Sequence, residues 1–302
     1  MSERTIELDG HEIELSNQDK VLFPDCGLTK GDLVDYYRRI AELALPHWRD
    51  RPTSLERFPD GVEADGFFQK DTPDYFPDWI VRQRLKKEGG SIDHVLVNDT
   101  ATAVYLANQG SITLHVGLSR VDRIERPDRL VFDLDPSSDD FSRVQDAARW
   151  TREVLDELDL PSFVQTTGSR GLHVVVPLDR SADFDRVREI ARKIATLTAE
   201  RHAAALTVEQ RKAARGGRVF IDTLRNAYGQ TSVAPYSVRA KPGAPVATPL
   251  DWDEALAKGR SPRDYTIGNI FQRLGQKPDP WAAMADAAVS LQVAGRRLDE
   301  KA

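Results

Sequence analysis

A single cysteine, Cys26, stands in 302 residues. That excludes an internal disulfide and any zinc site built on cysteines, and it fits a reducing compartment, the cytoplasm or the nucleoid. No apolar run approaches the roughly 18 residues that a membrane-spanning helix needs, so no membrane partner is expected. The opening Met1-Ser2-Glu3-Arg4 has no apolar stretch behind it, so no secretory signal is expected. There is no internal repeat and no low-complexity linker. Positive charge is in deficit, with a net charge of −6. Taken alone, that argues against a nucleic-acid partner. The basic residues are uneven, however. Arg82, Arg84, Lys86 and Lys87 form one group, Arg120, Arg123, Arg126 and Arg129 a second, and Arg211, Lys212, Arg215 and Arg218 a third. Local basic faces hold phosphate despite an acidic total.

What is present is a globular composition, 40% hydrophobic and 30% charged, long enough for one large or two medium domains. Residues 5–15 alternate around Asp9-Gly10 and predict a β-hairpin. Thr29 with Asp32 makes a capping box for a helix carrying Leu33, Tyr36, Tyr37 and Ile40 at helical spacing, with Pro46 expected to end it. A strand is expected over 52–58. Phe67 and Phe68 follow in a loop at 66–70. Residues 79–97 predict a strand, a basic turn at Lys86-Lys87-Glu88-Gly89-Gly90, and a second strand. Residues 100–109 predict a helix and 111–116 a strand. Further strands are expected at 130–135, 163–166, from His173 and at 219–222. Helices are expected after Asp140, over 183–204, at Trp252–Leu256 and over 280–298. Strands and helices mix throughout, which gives an α/β or α+β class, with central mixed or antiparallel sheets flanked by helices.

The chemistry centres on Val131-Phe132-Asp133-Leu134-Asp135-Pro136. In a strand, Asp133 and Asp135 share one face and Phe132 and Leu134 the other. Two close carboxylates repel unless a cation or a proton intervenes, and oxygen ligands suit magnesium or manganese. The turn Thr167-Gly168-Ser169-Arg170-Gly171-Leu172-His173 gathers backbone N–H groups, hydroxyls and an arginine at one point, as a phosphate chain requires. Val219-Phe220-Ile221-Asp222 is a second apolar strand ending on an aspartate. Arg225, Gln230, Thr231 and Arg239 follow it. Near the N-terminus, Asn17, Lys20 and Lys30 lie at a helix start, where a phosphate is favoured. An exposed phenylalanine at 67 or 68 beside Lys70 suits base stacking. Arg84, Lys86 and Lys87 on the hairpin suit a nucleic-acid backbone.

Together these residues describe nucleotidyl transfer. Asp133, Asp135 and Asp222 would hold two divalent ions about 3.5–4 Å apart. Ser169, Arg170, His173, Arg225 and Arg239 would neutralise a triphosphate, with Gly171, Gln230 and Thr231 counted in the same nucleotide-binding set.

In these motifs and their order the chain resembles the polymerase domain of bacterial DNA ligase D, in the archaeo-eukaryotic primase superfamily. The segments Ser16–Pro24 and Gly66–Lys70 share the resemblance, which runs from about residue 5 to 275. It implies a primase-polymerase fold, a single domain over 1–302. Within it, an N-terminal module covers about 1–110, a catalytic module about 111–275 and a helical cover 276–302. It implies metal ligation by Asp133, Asp135 and Asp222 (Mn²⁺ or Mg²⁺) and triphosphate binding by Ser169, His173, Arg225 and Arg239. A pocket at Asn17, Lys20 and Lys30 would take the 5′-phosphate of gapped or broken DNA, and Phe67 and Phe68 would stack at the nascent base pair. NTP or dNTP would be substrates, and Ku and a separate DNA ligase partners in non-homologous end joining. The expectation is a stand-alone form or an excised domain, with no ligase or nuclease domain in these 302 residues. His115-Val116-Gly117 departs from the family pattern, which leaves His115 without an assigned role.

Three rivals share some of these residues. Asp133-Leu134-Asp135-Pro136-Ser137 also fits the DxDx[ST] signature of haloacid-dehalogenase-type phosphatases, but that reading leaves Asp222 and the Gly-Ser-Arg-Gly turn without a task. A non-catalytic DNA-end-binding module would tolerate loss of an aspartate, and all three are present. A dedicated primase would carry a zinc element, which one cysteine does not supply.

Overall fold

The computed structural model describes residues 4–87 and 89–300. Glu88 of the expected turn and Met1-Ser2-Glu3 lie outside the described residues. The chain begins with β1 (Arg4–Leu8), β2 (His11–Leu15), β3 (Val21–Phe23), β4 (Leu28–Thr29), α1 (Lys30–Trp48), β5 (Pro52–Arg57) and β6 (Phe67–Gln69). It continues with β7 (Arg82–Lys87), β8 (Gly90–Leu96), α2 (Thr100–Asn108), β9 (Ser111–Gly117), β10 (Arg129–Asp135) and α3 (Phe141–Glu157). Then come β11 (Phe163–Thr166), β12 (Leu172–Pro177), α4 (Phe184–Arg201), β13 (Leu206–Thr207) and β14 (Val219–Asp222). The last elements are β15 (Thr231–Val233), β16 (Pro249–Leu250), α5 (Trp252–Ala255), α6 (Ile270–Leu274) and α7 (Gln292–Glu300). They gather into two compact units. The first holds Met1–Asp122, Thr231–Ala247 and Tyr265–Arg273; the second holds Arg123–Gln230, Thr248–Asp264 and Leu274–Ala302.

In the first unit, a sheet of order β15-β9-β5-β8-β7 also pairs β6 on β5. Helix α1 opens on the expected capping box, in which Thr29 accepts from the Asp32 N–H and the Asp32 carboxylate accepts from the Thr29 N–H. Its buried aromatic face explains why residues 231–247 belong here. The Tyr36 hydroxyl donates to the Tyr236 carbonyl at 2.7 Å and the Trp48 indole N–H to the Pro235 carbonyl at 2.7 Å. The Tyr37 hydroxyl donates to the Ile112 carbonyl at 2.6 Å.

Two local expectations fail in this unit. Pro46 does not end α1, which runs on to Trp48. Proline in a last turn removes one hydrogen bond, the one to Glu42, and both residues lie on the exposed side of the helix. Arg120 meets the closing carbonyls instead, donating to Arg49 at 2.8 Å and Pro46 at 3.0 Å. Residues 67–69 are strand rather than loop, because they pair antiparallel with Leu55, Glu56 and Arg57.

In the second unit the sheet order is β13-β14-β10-β12-β11-β16, antiparallel except for β13 beside β14. Helices α3 and α4 pack on each other and on β10 and β12. The four central strands are apolar runs, with Val174, Val176, Phe132 and Leu134 fully buried. One expectation fails here. Helix was expected over 280–298, but only Gln292–Glu300 is regular helix. Val289 is drawn into the sheet edge, accepting from Asp179 and donating to Pro177, and the Trp281 indole N–H is tied to the Val164 carbonyl. Those tertiary anchors hold 281–288 as a string of turns.

Candidate active site

Strand β10 lies between β14 and β12, and its register sets the site. Asp133 is the direct cross-strand partner of Asp222 on one side and of His173 on the other. Cross-strand partners share a face and stand about 4.5–5.5 Å apart at Cβ. Asp135, two residues on, shares that face. Asp222, distant in sequence, is therefore brought to one patch with Asp133 and Asp135. Phe132 and Leu134 project the opposite way and are fully buried, which fixes the register.

His173 approaches Asp133, with Nε2 at 3.5 Å from Oδ1. Its Nδ1 lies 3.2 Å from Gln165 Nε2, so the buried glutamine orients the ring. The 167–171 turn is braced from within. Thr167 donates its hydroxyl to the Gly171 carbonyl and accepts from the Ser169 and Gly171 N–H groups. Gly171 is required by space, since a Cβ there would sit 2.3 Å from the Leu134 carbonyl oxygen. Arg263 donates to the Ser169 carbonyl at 2.9 Å and closes the turn from outside. Arg225 and Gln230, also on this unit, are exposed.

Arginines take up the Asp135 carboxylate. Arg215 donates to Oδ2 at 2.9 Å and Arg170 to Oδ1 at 3.4 Å. Arg215 is itself buried, stacked 4.1 Å over Phe220 and tied to the Glu209 and Gln210 carbonyls. Its place in the basic run 211–218 was visible in the sequence; its partner was not, because Asp135 lies 80 residues earlier.

Burial pushes the Asp222 carboxyl above the usual range, and the nearby Asp133 and Asp135 charges push it further. The Leu224 N–H, donating to Asp222 Oδ1 at 2.7 Å, and the Arg225 charge offset this in part. Such a group gains from a cation placed among the three. Among the described residues, no three His, Cys, Asp or Glu side chains are gathered closely enough to ligate one ion as they stand. The donor set nonetheless fits a hard divalent cation, consisting of carboxylate oxygens on one sheet face, and Asp135 already binds two guanidinium cations.

The first unit carries the remaining expected residues. Lys30 is 6% exposed, donates to the Asn108 carbonyl at 3.0 Å and to the Ser16 hydroxyl at 3.3 Å, and its pKa is lowered by burial and then by the Lys20 charge. Lys20 stands beside it and meets Asp60. Asn17 takes a left-handed backbone, with φ at 52°, and accepts the Lys20 N–H. Asn17, Lys20 and Lys30 are thus brought together. On the hairpin, Arg84 is bidentate to Asp93 at 2.9 and 2.7 Å, while Lys86 and Lys87 are exposed at the tip. Phe67 and Phe68 project to opposite faces of β6, opposite Arg57 and Glu56 respectively. Phe68 packs 5.2 Å from His115, which stands 3.8 Å from the Glu56 carboxylate. Burial acts to raise the Glu56 pKa, but hydrogen bonding to His115 and the Arg239 and His115 charges bring it below the usual value. Thr231 and Arg239 lie in this same unit. No motif marks Glu56 or His115 for a role. Their strands are adjacent, but only register shows which residues meet.

The LigD primase-polymerase domain family matches residues 29–281 of the chain. Two LigD proteins, the multifunctional non-homologous end joining proteins of Mycolicibacterium smegmatis and Pseudomonas aeruginosa, are each 33% identical to it. They align over 282 and 293 residues, 92% and 94% of this chain. The bifunctional LigD of Bacillus subtilis is 29% identical over 272 residues, 89% of this chain. The chain spans 37%, 34% and 44% of those proteins' own lengths. A solved structure, the polymerase domain of Mycobacterium tuberculosis ligase D in complex with DNA, superposes with a TM-score of 0.85 at 30% identity. It covers 92% of this chain and 99% of that one.

Proposed function

The chain belongs to the LigD primase-polymerase family, and from that premise we propose that it is a template-directed nucleotidyltransferase. It would add ribo- or deoxyribonucleotides at gaps and broken DNA ends in non-homologous end joining. The observation that carries the reading is the register of β10, which sets Asp133 beside both Asp222 and His173 with Asp135 on the same face.

Two divalent ions, Mn²⁺ or Mg²⁺, held by Asp133, Asp135 and Asp222 would supply an activated primer hydroxyl and charge neutralisation on the triphosphate. The protein's own residues do the rest. The Ser169 hydroxyl and the turn that Gly171 closes cradle the phosphates, with Arg170, His173 and Arg225 as charged or polar donors and Gln230 in the same nucleotide set. Gln165 fixes the His173 ring so that one nitrogen faces the site. Asn17, Lys20 and Lys30 take the 5′-phosphate of the downstream strand. Burial lowers the Lys30 pKa, a cost that a bound anion would offset. Phe67 and Phe68 stack on bases, and Lys86 and Lys87, with Arg84 as a brace, track the backbone. Ku and a DNA ligase activity are the partners this activity calls for.

Primer extension on a one-nucleotide gap tests the proposal, comparing NTP with dNTP, 5′-phosphate with 5′-hydroxyl, and Mn²⁺ with Mg²⁺. Template-matched addition, stimulated by the phosphate, is expected. No addition under any condition rejects the enzyme and leaves an end-binding module.

A further inference from the structure

The three most exposed large apolar side chains among the described residues are Tyr75 at 62%, Phe68 at 59% and Phe67 at 48%. All fall within nine residues of chain, in the first unit. Scattered single exposures need no explanation, but a concentration of aromatic ones does.

One buried residue organises two of them. Arg57 is 6% exposed. Its Nη1 donates to the Tyr75 hydroxyl at 2.8 Å and to Gln69 Oε1 at 2.6 Å. Its Nε and Nη2 donate to the Gln109 carbonyl at 3.1 and 2.7 Å, and its guanidinium lies 5.5 Å from the Phe67 ring centre. The Tyr75 ring is further braced edge-on against Phe76, itself 1% exposed. All four Arg57 contacts are to neutral acceptors, and no carboxylate among the described residues pairs with it. Its positive charge is therefore left beside the Phe67 ring and the Tyr75 hydroxyl. Strand alternation puts Phe67 on this side of β6 and Phe68 on the other, with His115. The aromatic stretch has two working faces rather than one.

We propose that Tyr75 and Phe67, clamped by Arg57, form a stacking surface for unpaired template nucleotides, separate from the face that Phe68 shares with His115. The inference rests on the polymerase reading above. A flat ring stacks on any base, and an uncompensated guanidinium beside it favours the adjoining phosphate, as single-stranded nucleic acid requires. Tyr75 sits in an Asp/Pro-rich loop, and nothing in the local sequence marks it. Only the hydrogen bond to a buried arginine 18 positions earlier does.

The test uses the full chain and two DNA ligands, both 5′-phosphorylated. One is blunt; the other carries a single-stranded template overhang with 2-aminopurine in its first unpaired positions. Tyr75→Leu is expected to weaken overhang binding by about fivefold or more and to change the 2-aminopurine emission, leaving blunt-duplex affinity as in the parent. Tyr75→Phe, which keeps the ring and loses the hydroxyl tether, should fall between. Parent-like overhang affinity and emission for Tyr75→Leu overturns the proposal. Phe67→Leu separates the levels. If it loses binding while Tyr75→Leu does not, only the extension to Tyr75 fails. If neither variant changes overhang binding, base stacking on this stretch fails as well.

Discussion

Asp135 is held at both oxygens by arginine, and that makes Arg215 the informative residue beside it. Arg215→Met keeps an apolar stem but removes the guanidinium that stacks over Phe220, and leaves the Glu209 and Gln210 carbonyls without their donor. Thermal or urea unfolding should report a loss of roughly 1–3 kcal/mol, at the low end for a buried pair because Asp135 is a third exposed. Unchanged stability would show that the pair is incidental. The double variant Lys20→Ala, Lys30→Ala should erase any preference for 5′-phosphorylated over 5′-hydroxyl gaps, measured as a ratio within one preparation. An unchanged ratio rejects the pocket. His94 offers a pH test on stability. It is 2% exposed, and burial lowers its pKa below the ordinary 6.5. Above that value it is neutral both folded and unfolded, with no penalty. As pH falls from the unfolded value toward the lower folded one, the unfolded chain takes up a proton that the folded chain refuses, and stability drops. The Tm of the parent should therefore fall between pH 7 and pH 5 more than that of His94→Leu, and parallel profiles would contradict the assignment.

At the scale of elements, the strand–turn–strand of β7 and β8 projects Lys86 and Lys87 to its tip while Arg84 is spent on Asp93. Lys86→Glu with Lys87→Glu should weaken DNA binding without altering the fold, and should flatten the dependence of affinity on salt by about one to two released counterions. A salt slope equal to the parent's would remove the tip from the interface. Elements were also what the sequence stated best. The capping box of α1, the hairpin around Asp9-Gly10, the DxD strand and the 183–204 helix were legible because each is fixed by neighbours in sequence. Pro46, Phe67–Gln69 and residues 281–289 were misread because distant partners decide them: Arg120 on the helix end, β5 beside β6, and the sheet edge beside Val289. The candidate site divides the same way. Asp133, Asp135, Asp222 and His173 carried motif signals, whereas Arg215, Arg57 and Glu56 act through contacts that only register and loop closure create.

In the whole molecule, three aspartates of one sheet are proposed to serve one reaction, and Asp133 is central because it neighbours both Asp222 and His173. Asp133→Asn keeps the side-chain volume and the strand, and removes one negative charge from the cluster. The measurement is single-turnover nucleotide addition to a 5′-phosphorylated gap in Mn²⁺, read beside the affinity for the same DNA. Addition is expected to fall by at least about three orders of magnitude while DNA affinity stays within about twofold, since the loss is confined to transition-state stabilisation. Addition at a rate close to the parent's would contradict that shared role.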